Sequence, residues 1–314
     1  MKVLVTGGAG FIGTHLVRRL LEEGNEVICV DNFTLGHIEN VECFKDNDKY
    51  SFYNIDIAKT EEFCDTLKDK NIDIIYHLAA NSDIQKGGKE PSVDFNDTFL
   101  TTRSVLELMR RENIKNLFFS STSAIYGDEK NKEMSEDLGG LQPISYYGGA
   151  KYASEAFISA YTHMNDLNVI VFRFPNVIGP NLTHGVIFDF VNKLRANPKK
   201  LEILGDGTQT KPYVYVLDLI DGIMMMTKSI PAGMNIYNIG VDTATSVRTI
   251  ADIVCEELGY DDVEYNFTGG NIGWKGDVPK FRFNLDKIHG AGWSSKRTSD
   301  DAVRDTVKAI KKQS

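Results

Sequence analysis

A tyrosine and a lysine four residues apart are the first residues in this sequence whose types and spacing could do chemistry. They lie in the stretch SYYGGAKYASE at positions 145–155. If this stretch is a helix, Tyr147 and Lys151 share one face. A nearby ammonium favours the phenolate and lowers the pKa of the phenol, so the pair predicts a proton acceptor near neutral pH. Gly148 and Gly149 between them predict the close approach of a flat ring or ribose, or close packing against a neighbouring helix.

A glycine-rich turn near the start of the chain could bind a dinucleotide. In VLVTGGAGFIGTHL, Gly7, Gly10 and Gly13 lie between a predicted strand and a predicted helix, and Asp31 ends the next strand. Glycines in this context allow the backbone to approach a pyrophosphate, which then rests at the helix N-terminus. Asp31 predicts hydrogen bonds to an adenosine ribose and, because a carboxylate repels a 2′-phosphate, favours NAD over NADP. The alternative is that the glycines only form a tight strand–helix turn.

Short apolar runs alternate with helical patterns through the first half of the chain. Strands are predicted at 2–7, 26–31, 50–56, 72–79, 116–122 and 168–174, and helices at 11–24, 59–69, 94–112 and 145–164. Continuous apolar strands separated by helices predict an α/β fold with a doubly wound parallel (Rossmann) sheet. After residue 180 the short strand patterns LEIL, PYVYV and NIYNIG are less regular. We therefore predict an NAD-binding domain over 1–180, to which later segments can return, and a smaller, mainly substrate-binding α/β lobe over 181–314.

Composition excludes several classes of function. The 314 residues are 42% apolar and 25% charged, and the net charge is -9. This composition is typical of a soluble globular protein, and the negative charge argues against binding to nucleic acid or to anionic lipid. No apolar run approaches the length of a membrane span, and the four cysteines lack metal-ligand spacing, so no metal is predicted. Without a leader pattern at the start, these features predict a cytoplasmic protein.

Five motifs together resemble the extended short-chain dehydrogenase/reductase family: TGGAGFIG, HLAA, SSTSAIYG, YGGAK and FRFPNVIGP. Within that family the sequence is most similar to NAD-dependent nucleotide-sugar epimerases of the UDP-glucose 4-epimerase type, over nearly the whole chain. The resemblance implies an NAD cofactor, a nucleotide-sugar substrate and a homodimer. In such dimers the helices near 94–112 and 145–164 pair into a four-helix bundle; the alternative is that they only cover the sheet.

The resemblance also implies roles for the matching positions. Tyr147 would remove the proton of the sugar 4-hydroxyl as hydride leaves C4 for the nicotinamide, Thr122 would fix the reacting oxygen, and Lys151 would hold the nicotinamide ribose. The implied cofactor contacts are Gly7, Gly10, Phe11, Ile12, Gly13, Asp31, Asn32, Asp56, Ile57, Leu78, Ala79, Ala80, Tyr147, Lys151 and Pro175. The implied substrate contacts are Thr122, Ser123, Tyr147, Asn176, Gly185, Val186, Lys211 and Trp274.

The residues after Thr122 separate some branches of this chemistry. Relatives that remove water carry an Asp-Glu pair beside the catalytic threonine, whereas here Ser123 and Ala124 follow, and neither can move those protons. The prediction is therefore 4-epimerisation through a transient 4-keto sugar, with hydride returning to the opposite face. A C4 dehydrogenase or 4-keto reductase acting on a nucleotide sugar needs the same residues and stays open.

Three positions depart from the pattern of the relatives. Thr98 stands where an asparagine is common, and Lys211 and Trp274 stand where many relatives have arginine. Lysine binds phosphate as a point charge but lacks the bidentate fork of arginine. The nucleotide therefore stays open among UDP, GDP, TDP and CDP, and so does the sugar. His77, at the end of an apolar strand, is predicted to be a satisfied core or loop residue and not a base.

Overall fold

Buried strands alternate with helices along most of the chain. The computed structural model describes residues 1–128, 133–270, 278 and 280–312. The strands are β1 (Lys2–Thr6), β2 (Glu26–Asp31), β3 (Tyr50–Asn54), β4 (Ile74–His77), β5 (Asn116–Thr122), β6 (Glu133–Met134), β7 (Asn168–Phe174), β8 (Asn176–Ile178), β9 (Lys200–Ile203), β10 (Thr210–Lys211), β11 (Tyr213–Tyr215), β12 (Gly233–Asn238), β13 (Thr245–Ser246), β14 (Glu264–Phe267) and β15 (Arg282–Phe283). The α-helices are α1 (Phe11–Glu22), α2 (Glu39–Glu42), α3 (Thr60–Leu67), α4 (Ile84–Lys89), α5 (Pro91–Asp94), α6 (Thr101–Glu112), α7 (Tyr146–Asn165), α8 (Val186–Ala196), α9 (Val216–Thr227), α10 (Val247–Leu258), α11 (Asp286–Gly290) and α12 (Ser299–Lys312). A π-helix (Phe95–Leu100) and a 3-10 helix (Ser123–Tyr126) are also present.

Seven strands form one sheet in the order β12-β7-β5-β4-β1-β2-β3. Strand β1 pairs in parallel with both β2 and β4, so that Val3 lies opposite Val27 and Ile74. The pairs β2–β3 and β4–β5 are also parallel. The strand order reverses between β1 and β4, which confirms the predicted doubly wound α/β fold. In such sheets ligands bind at the carboxyl ends of the strands beside that reversal.

Apolar side chains cover both faces of this sheet. Leu4 of β1 belongs to a core cluster that includes Phe63 of α3, Leu106 of α6 and Ile158 of α7. Val5, the next residue of the strand, is also fully buried and points to the opposite face because side chains alternate along a strand. Each such side chain contributes about 1.5–3 kcal/mol when fully buried. Burial on both faces explains why these strands are continuous apolar runs in the sequence.

The Cα positions group into two compact units. The first comprises Met1–Gly127, Gly140–Arg173 and Ile223–Tyr237, and the second comprises Asp128–Gly139, Phe174–Gly222 and Asn238–Ser314. Strands of the second unit form short pairs, including β8 with β11 and β9 with β14, both parallel. The NIYNIG pattern forms most of β12, which returns to the edge of the large sheet. The division of roles between 1–180 and 181–314 stays a prediction.

The predicted helix at 94–112 consists of three successive segments. Helix α5 begins with Pro91 at its first turn, the π-helix Phe95–Leu100 follows, and α6 completes the run. The prediction of one regular helix was therefore wrong in its start and in its interior. The π segment buries Thr98 completely, and the Thr98 hydroxyl accepts a hydrogen bond from the Asn81 amide at 3.1 Å. π segments occur most often at functional sites.

Over the described residues, no helix is long and apolar enough to cross a lipid bilayer. The four cysteines are free thiols. Groups of three or more side chains that could hold a metal ion are also absent from the described part of the chain.

Candidate active site

The glycine turn between β1 and α1 is packed too closely for side chains. Gly7 has φ +73°, and a Cβ there would lie 2.7 Å from the backbone nitrogen of Ala79, in the loop after β4. A Cβ on Gly13 would lie 2.7 Å from the Cα of Gly8. Helix α1 begins after Gly10, which has no side chain to cap it, and no acid lies in its first turn. The turn is therefore a cradle whose helix N-terminus favours an anionic group.

Asp31 is buried at the end of β2 and is bound on both oxygens. Its Oδ2 accepts from the Ala9 amide at 3.0 Å and its Oδ1 accepts from the Phe33 amide at 2.8 Å. Burial raises the pKa of Asp31, while these backbone amides oppose the shift. The carboxylate therefore joins the glycine turn to the loop after β2, a structural role that the sequence did not indicate. Each oxygen keeps further lone-pair capacity for a ribose hydroxyl.

The remaining predicted cofactor contacts of the first unit follow strand ends. Asn32 is exposed, and its Oδ1 accepts from the amide two residues on at 3.0 Å. Asp56 makes the same kind of contact at 3.0 Å. The Ile57 side chain lies in the core cluster, so only its backbone remains for a ligand. Phe11 and Ile12 in the first turn of α1, and residues 78–80 after β4, are half-buried.

Tyr147 and Lys151 share one face of α7, as their spacing predicted, and this face meets the carboxyl end of β5. The Ser145 side chain caps α7, and the Thr122 side chain lies near enough to the Tyr147 phenol to lower its pKa by hydrogen bonding. The Lys151 ammonium donates to the Ser120 carbonyl at 2.6 Å. Thr122 ends β5 and is 8% exposed. The structure therefore brings together the three residues predicted to be catalytic. Ser123 directly follows Thr122 and begins the 3-10 helix.

The two glycines of α7 have different surroundings. A Cβ on Gly148 would lie 2.5 Å from the carbonyl oxygen of Ala124 and 3.0 Å from its carbonyl carbon. A Cβ on Gly149 would have no described atom within 4 Å. Gly148 is therefore required by close packing against the 3-10 helix that follows β5. Gly149 leaves open space on the helix.

In the protein without ligands, burial is the main cause of the pKa shifts of Tyr147 and Lys151. Burial raises the pKa of Tyr147 to about 12, a shift that the hydrogen bond with Thr122 opposes. Burial also lowers the pKa of Lys151 to about 7, and the charge of Glu155 opposes that shift. The prediction that Lys151 would make this phenol acidic was therefore wrong for the chain alone, because desolvation of the phenolate outweighs it. For Tyr147 to lose its proton near pH 7, a further positive charge would have to lie beside it.

A buried ion pair that the sequence did not indicate joins α7 to β7 next to the site. Arg173 of β7 donates to Glu155 of α7 at 2.7 Å, and both side chains are 4% exposed. Arg173 also donates to the Tyr126 hydroxyl at 2.8 Å, and the Ser121 hydroxyl donates to Glu155. The available signal was spacing: Glu155 follows Tyr147 by eight residues on the same helix face.

Asp94 was also missed. Its Oδ1 accepts from the Asn81 side chain at 2.8 Å, but its buried Oδ2 has no hydrogen-bond partner among the described residues. A Cβ on Gly87 would collide with that oxygen. Burial raises the pKa of Asp94, and its charge raises the pKa of Tyr147. An incompletely satisfied carboxyl group thus influences the phenol.

His77 is a core residue, as predicted. Its Nδ1 is hydrogen-bonded to the Thr6 hydroxyl at 2.7 Å and its Nε2 to the Thr102 hydroxyl at 3.1 Å. Burial, with a contribution from Lys151, lowers its pKa to about 3. His77 is therefore neutral near pH 7 and occupied on both ring nitrogens.

The other predicted substrate contacts and Pro175 lie in the second unit. The Asn176 side chain donates to the Pro212 carbonyl at 3.5 Å. Gly185, with φ +97°, precedes Val186 at the start of α8. Lys211 is half-buried in β10, and a Cβ on Gly240 would lie 3.3 Å from the Pro175 ring. Trp274 lies outside the described residues.

Comparisons with known proteins agree with this geometry. The sequence model of the NAD dependent epimerase/dehydratase family matches residues 3–240. UDP-glucose 4-epimerase of Mycolicibacterium smegmatis is 28% identical, over 100% of both chains. The structure of UDP-glucose 4-epimerase of Thermotoga maritima with UDP-glucose has a TM-score of 0.89 and 30% identity, covering 100% of this chain and 99% of that one. The Thermus thermophilus UDP-glucose 4-epimerase in complex with NAD has a TM-score of 0.87 and 30% identity, covering 99% of each chain.

Proposed function

This chain belongs to the NAD-dependent epimerase/dehydratase family, and from that premise we propose that it is an NAD-dependent nucleotide-sugar 4-epimerase of the UDP-glucose 4-epimerase type. One observation carries the proposal: Tyr147 and Lys151 meet Thr122 and Ser120 at the carboxyl end of β5, and the glycine turn follows β1 at the same end of the parallel sheet. The turn fits a dinucleotide pyrophosphate, because the N-terminus of α1 has neither a capping side chain nor an acid in its first turn.

Each catalytic side chain has one task in this proposal. Bound NAD supplies a nicotinamide that accepts hydride from C4 and gives it back. Tyr147 Oη removes the proton of the sugar 4-hydroxyl and later returns it, and Thr122 Oγ1 holds the same sugar oxygen. Lys151 Nζ, already fixed by the Ser120 carbonyl, holds the nicotinamide ribose and contributes positive charge. Asp31 and the start of α1 hold the adenosine ribose and the pyrophosphate.

The residues beside Thr122 support epimerisation over loss of water. A 4,6-dehydratase needs an acid and a base for C5 and C6, and Ser123 and Ala124 supply neither. The same Tyr147, Lys151 and Thr122 would serve a C4 dehydrogenase or 4-keto reductase. The balance of electrons separates these from an epimerase, because an epimerase needs no external oxidant or reductant.

The experiment is conversion without added cofactor. The purified protein, its bound NAD measured by absorbance after denaturation, is incubated with UDP-glucose and with UDP-N-acetylglucosamine, and the products are identified by NMR. We expect conversion to the 4-epimer. Tyr147→Phe should lower kcat by a factor of about 10²–10⁴ while NAD stays bound. Tyr146→Phe is the matched control, because Tyr146 is the neighbouring residue of α7 and is 57% exposed.

Two results would contradict the proposal. Equal activity of Tyr147→Phe and the unaltered protein would remove the proposed base. If neither sugar is converted, and turnover of another nucleotide sugar requires an added oxidant or reductant and gives a product two electrons away, the protein is a dehydrogenase or reductase.

The substrate contacts are part of this proposal. Beyond Thr122, Ser123 and Tyr147, they are Asn176, Gly185, Val186, Lys211 and Trp274. Lys211 is proposed to contact the diphosphate as a point charge. Lys211→Ala should therefore raise KM for the nucleotide sugar and leave kcat nearly unchanged, which initial-rate kinetics can measure. A change in kcat alone would contradict the assignment.

We also propose a homodimer in the cytoplasm. Aromatic side chains of the π-helix and α7 support the dimer: Phe99 lies 5.8 Å from Phe95 and 5.0 Å from Phe157 between ring centroids, and Phe95 and Phe157 are 54% and 45% exposed. Phe157→Asp should give a monomer in sedimentation experiments, and an unchanged mass would contradict this interface. The free thiols support a reducing compartment.

A further inference from the structure

Three side chains of α7, spaced four residues apart on one face, bind three consecutive residues at the end of β5. The helix residues are Tyr147, Lys151 and Glu155, and their respective partners are Thr122, Ser120 and Ser121. The first two contacts involve the proposed catalytic groups. The third contact lies one helical turn further along the same face of α7, and no role in the chemistry accounts for it.

Glu155 is the most firmly held of the three helix residues. Its Oε2 accepts from Arg173 at 2.7 Å, and its Oε1 accepts from Arg173 at 3.2 Å and from Ser121. Arg173 lies on β7, next to β5 in the sheet, and is fixed in turn by the Tyr126 hydroxyl. Glu155 therefore ties α7 to two adjacent strands.

Glu155 also supplies negative charge behind the lysine. Five titratable groups on the elements around Lys151 must be considered. They are Tyr147 and Glu155 on α7, His77 on β4, Arg173 on β7 and Asp94 on α5. His77 stays neutral, and Asp94 acts on Tyr147. Glu155 is the carboxylate that opposes the effect of burial on Lys151. The ring of Phe119, 4.8 Å from the ammonium, adds a weaker attraction.

Resting on the function proposed above, we propose that Glu155, held by Arg173 and Ser121, is a positioning residue for the reaction. It sets the register of α7 against the end of β5, so that Tyr147 meets Thr122, and its charge favours the cationic form of Lys151. Glu155 touches neither sugar nor cofactor in this proposal and acts only through Lys151 and the helix.

A purely structural ion pair would also stabilise the protein, so the test must measure the state of Lys151. Lysine labelled with ¹³C at the ε carbon reports this in the protein without added substrate, and the Lys151 signal is assigned by its loss in Lys151→Met. We expect Glu155→Gln to move the Lys151 titration downward by about one pH unit, which corresponds to the loss of one nearby charge. The alkaline limb of the kcat profile should move down by the same amount, with about a tenfold loss of kcat at pH 8.

Two further variants keep the test decisive. If Glu155→Gln alone does not fold, because it leaves Arg173 buried without its partner, the double variant Glu155→Gln/Arg173→Met removes both charges and should show a smaller downward shift, since the Arg173 cation that repels Lys151 is lost as well. Glu107→Gln is the matched control, since Glu107 is a carboxylate of α6 that pairs with two arginines and is 15% exposed. It should leave the Lys151 titration and the kcat profile unchanged.

The outcomes separate this inference from the proposed function. If Lys151 titrates identically in the unaltered protein and in the Glu155 variants, and the alkaline limb does not move, the positioning role is wrong. If no nucleotide sugar is converted by the unaltered protein, the proposed function fails, but the shift of the Lys151 signal still tests the action of Glu155 on Lys151.

Discussion

The two adjacent glycines of α7 give a sharp prediction, because the structure assigns opposite consequences to the same substitution. Gly148→Ala places a methyl group 2.5 Å from a backbone carbonyl oxygen of Ala124. Gly149→Ala places one where no described atom lies within 4 Å. Both positions are helical, so both gain the same helix propensity, and the difference between the variants reports only the packing.

The magnitudes follow from these distances. Alanine in place of glycine stabilises a helix interior by up to about 1 kcal/mol, which is the full effect expected for Gly149→Ala. At Gly148 the carbonyl must move by roughly 1 Å to restore an ordinary contact, and overpacking of this kind costs about 1–3 kcal/mol. Part of that movement reaches Thr122, which lies two residues before Ala124 and is hydrogen-bonded to its amide. Because the propensity gain is common to both, we expect the two variants to differ by about 1–3 kcal/mol in the free energy of unfolding.

Urea unfolding of the protein without ligand measures this difference directly. Gly149→Ala should have a higher midpoint than the unaltered protein and Gly148→Ala a lower one. Gly148→Ala should also lose turnover, because the Thr122 hydroxyl moves relative to Tyr147. Equal midpoints for the two variants would show that the turn after β5 yields without cost and would refute the packing explanation for Gly148.

Three other perturbations test the charges of the site. Asp94→Asn should raise the free energy of unfolding at pH 7 by about 1–2 kcal/mol, since it removes a buried charge whose Oδ2 is unsatisfied. Because the pKa of Asp94 is raised on folding, this gain should shrink as the pH falls and the carboxyl takes up a proton. An equal gain at pH 4 would contradict the reasoning. Because the pKa of Lys151 falls from 10.5 to about 7 on folding, the unfolded chain binds a proton between these pH values that the folded chain lacks. The free energy of unfolding should therefore rise with pH in this range, by at most about 1.4 kcal/mol per pH unit. Urea unfolding of Lys151→Met should show a correspondingly smaller rise with pH. Asp31→Asn should weaken NAD binding about tenfold, by the loss of a charge-assisted hydrogen bond, and should weaken NADP binding less, which calorimetry can measure.

The fold could be predicted wherever local periodicity reports burial. Strands β2, β5 and β7 begin and end at the predicted residues, because both of their faces are covered and the apolar run is uninterrupted. The π-helix at 95–100 could not be predicted, since one extra residue per turn changes the apolar spacing too little to distinguish it from an α-helix in the sequence. The return of β12 to the large sheet depends on a neighbour, β7, far away in sequence, which no local pattern encodes.

In the site, too, features set by nearby residues could be predicted from the sequence, whereas contacts between distant residues could not. The spacing of Tyr147 and Lys151 fixes their common face, so their orientation toward β5 followed once the strand was placed. Glu155 was missed because its partners, Ser121 and Arg173, are 34 and 18 residues away. A buried carboxylate is improbable on sequence alone, and only the arginine that meets it in the fold makes it tolerable.

The protonation of the pair explains why the cofactor should stay bound through a whole turnover. In the chain by itself the pKa of Tyr147 is about 12 and that of Lys151 about 7, so near pH 7 the phenol keeps its proton. Positive charge beside Tyr147 favours its phenolate, and a nicotinamide ring is cationic when oxidised and neutral when reduced. With NAD bound, the positive charge of the oxidised ring would favour the Tyr147 phenolate, and the loss of that charge on reduction would favour the protonated phenol. Tyr147 would thus hold the proton of the 4-hydroxyl while the ring is reduced and could return it when the ring is oxidised again. A cofactor that stays bound would let one ring govern both the loss and the return of this proton, in keeping with the proposed 4-epimerase.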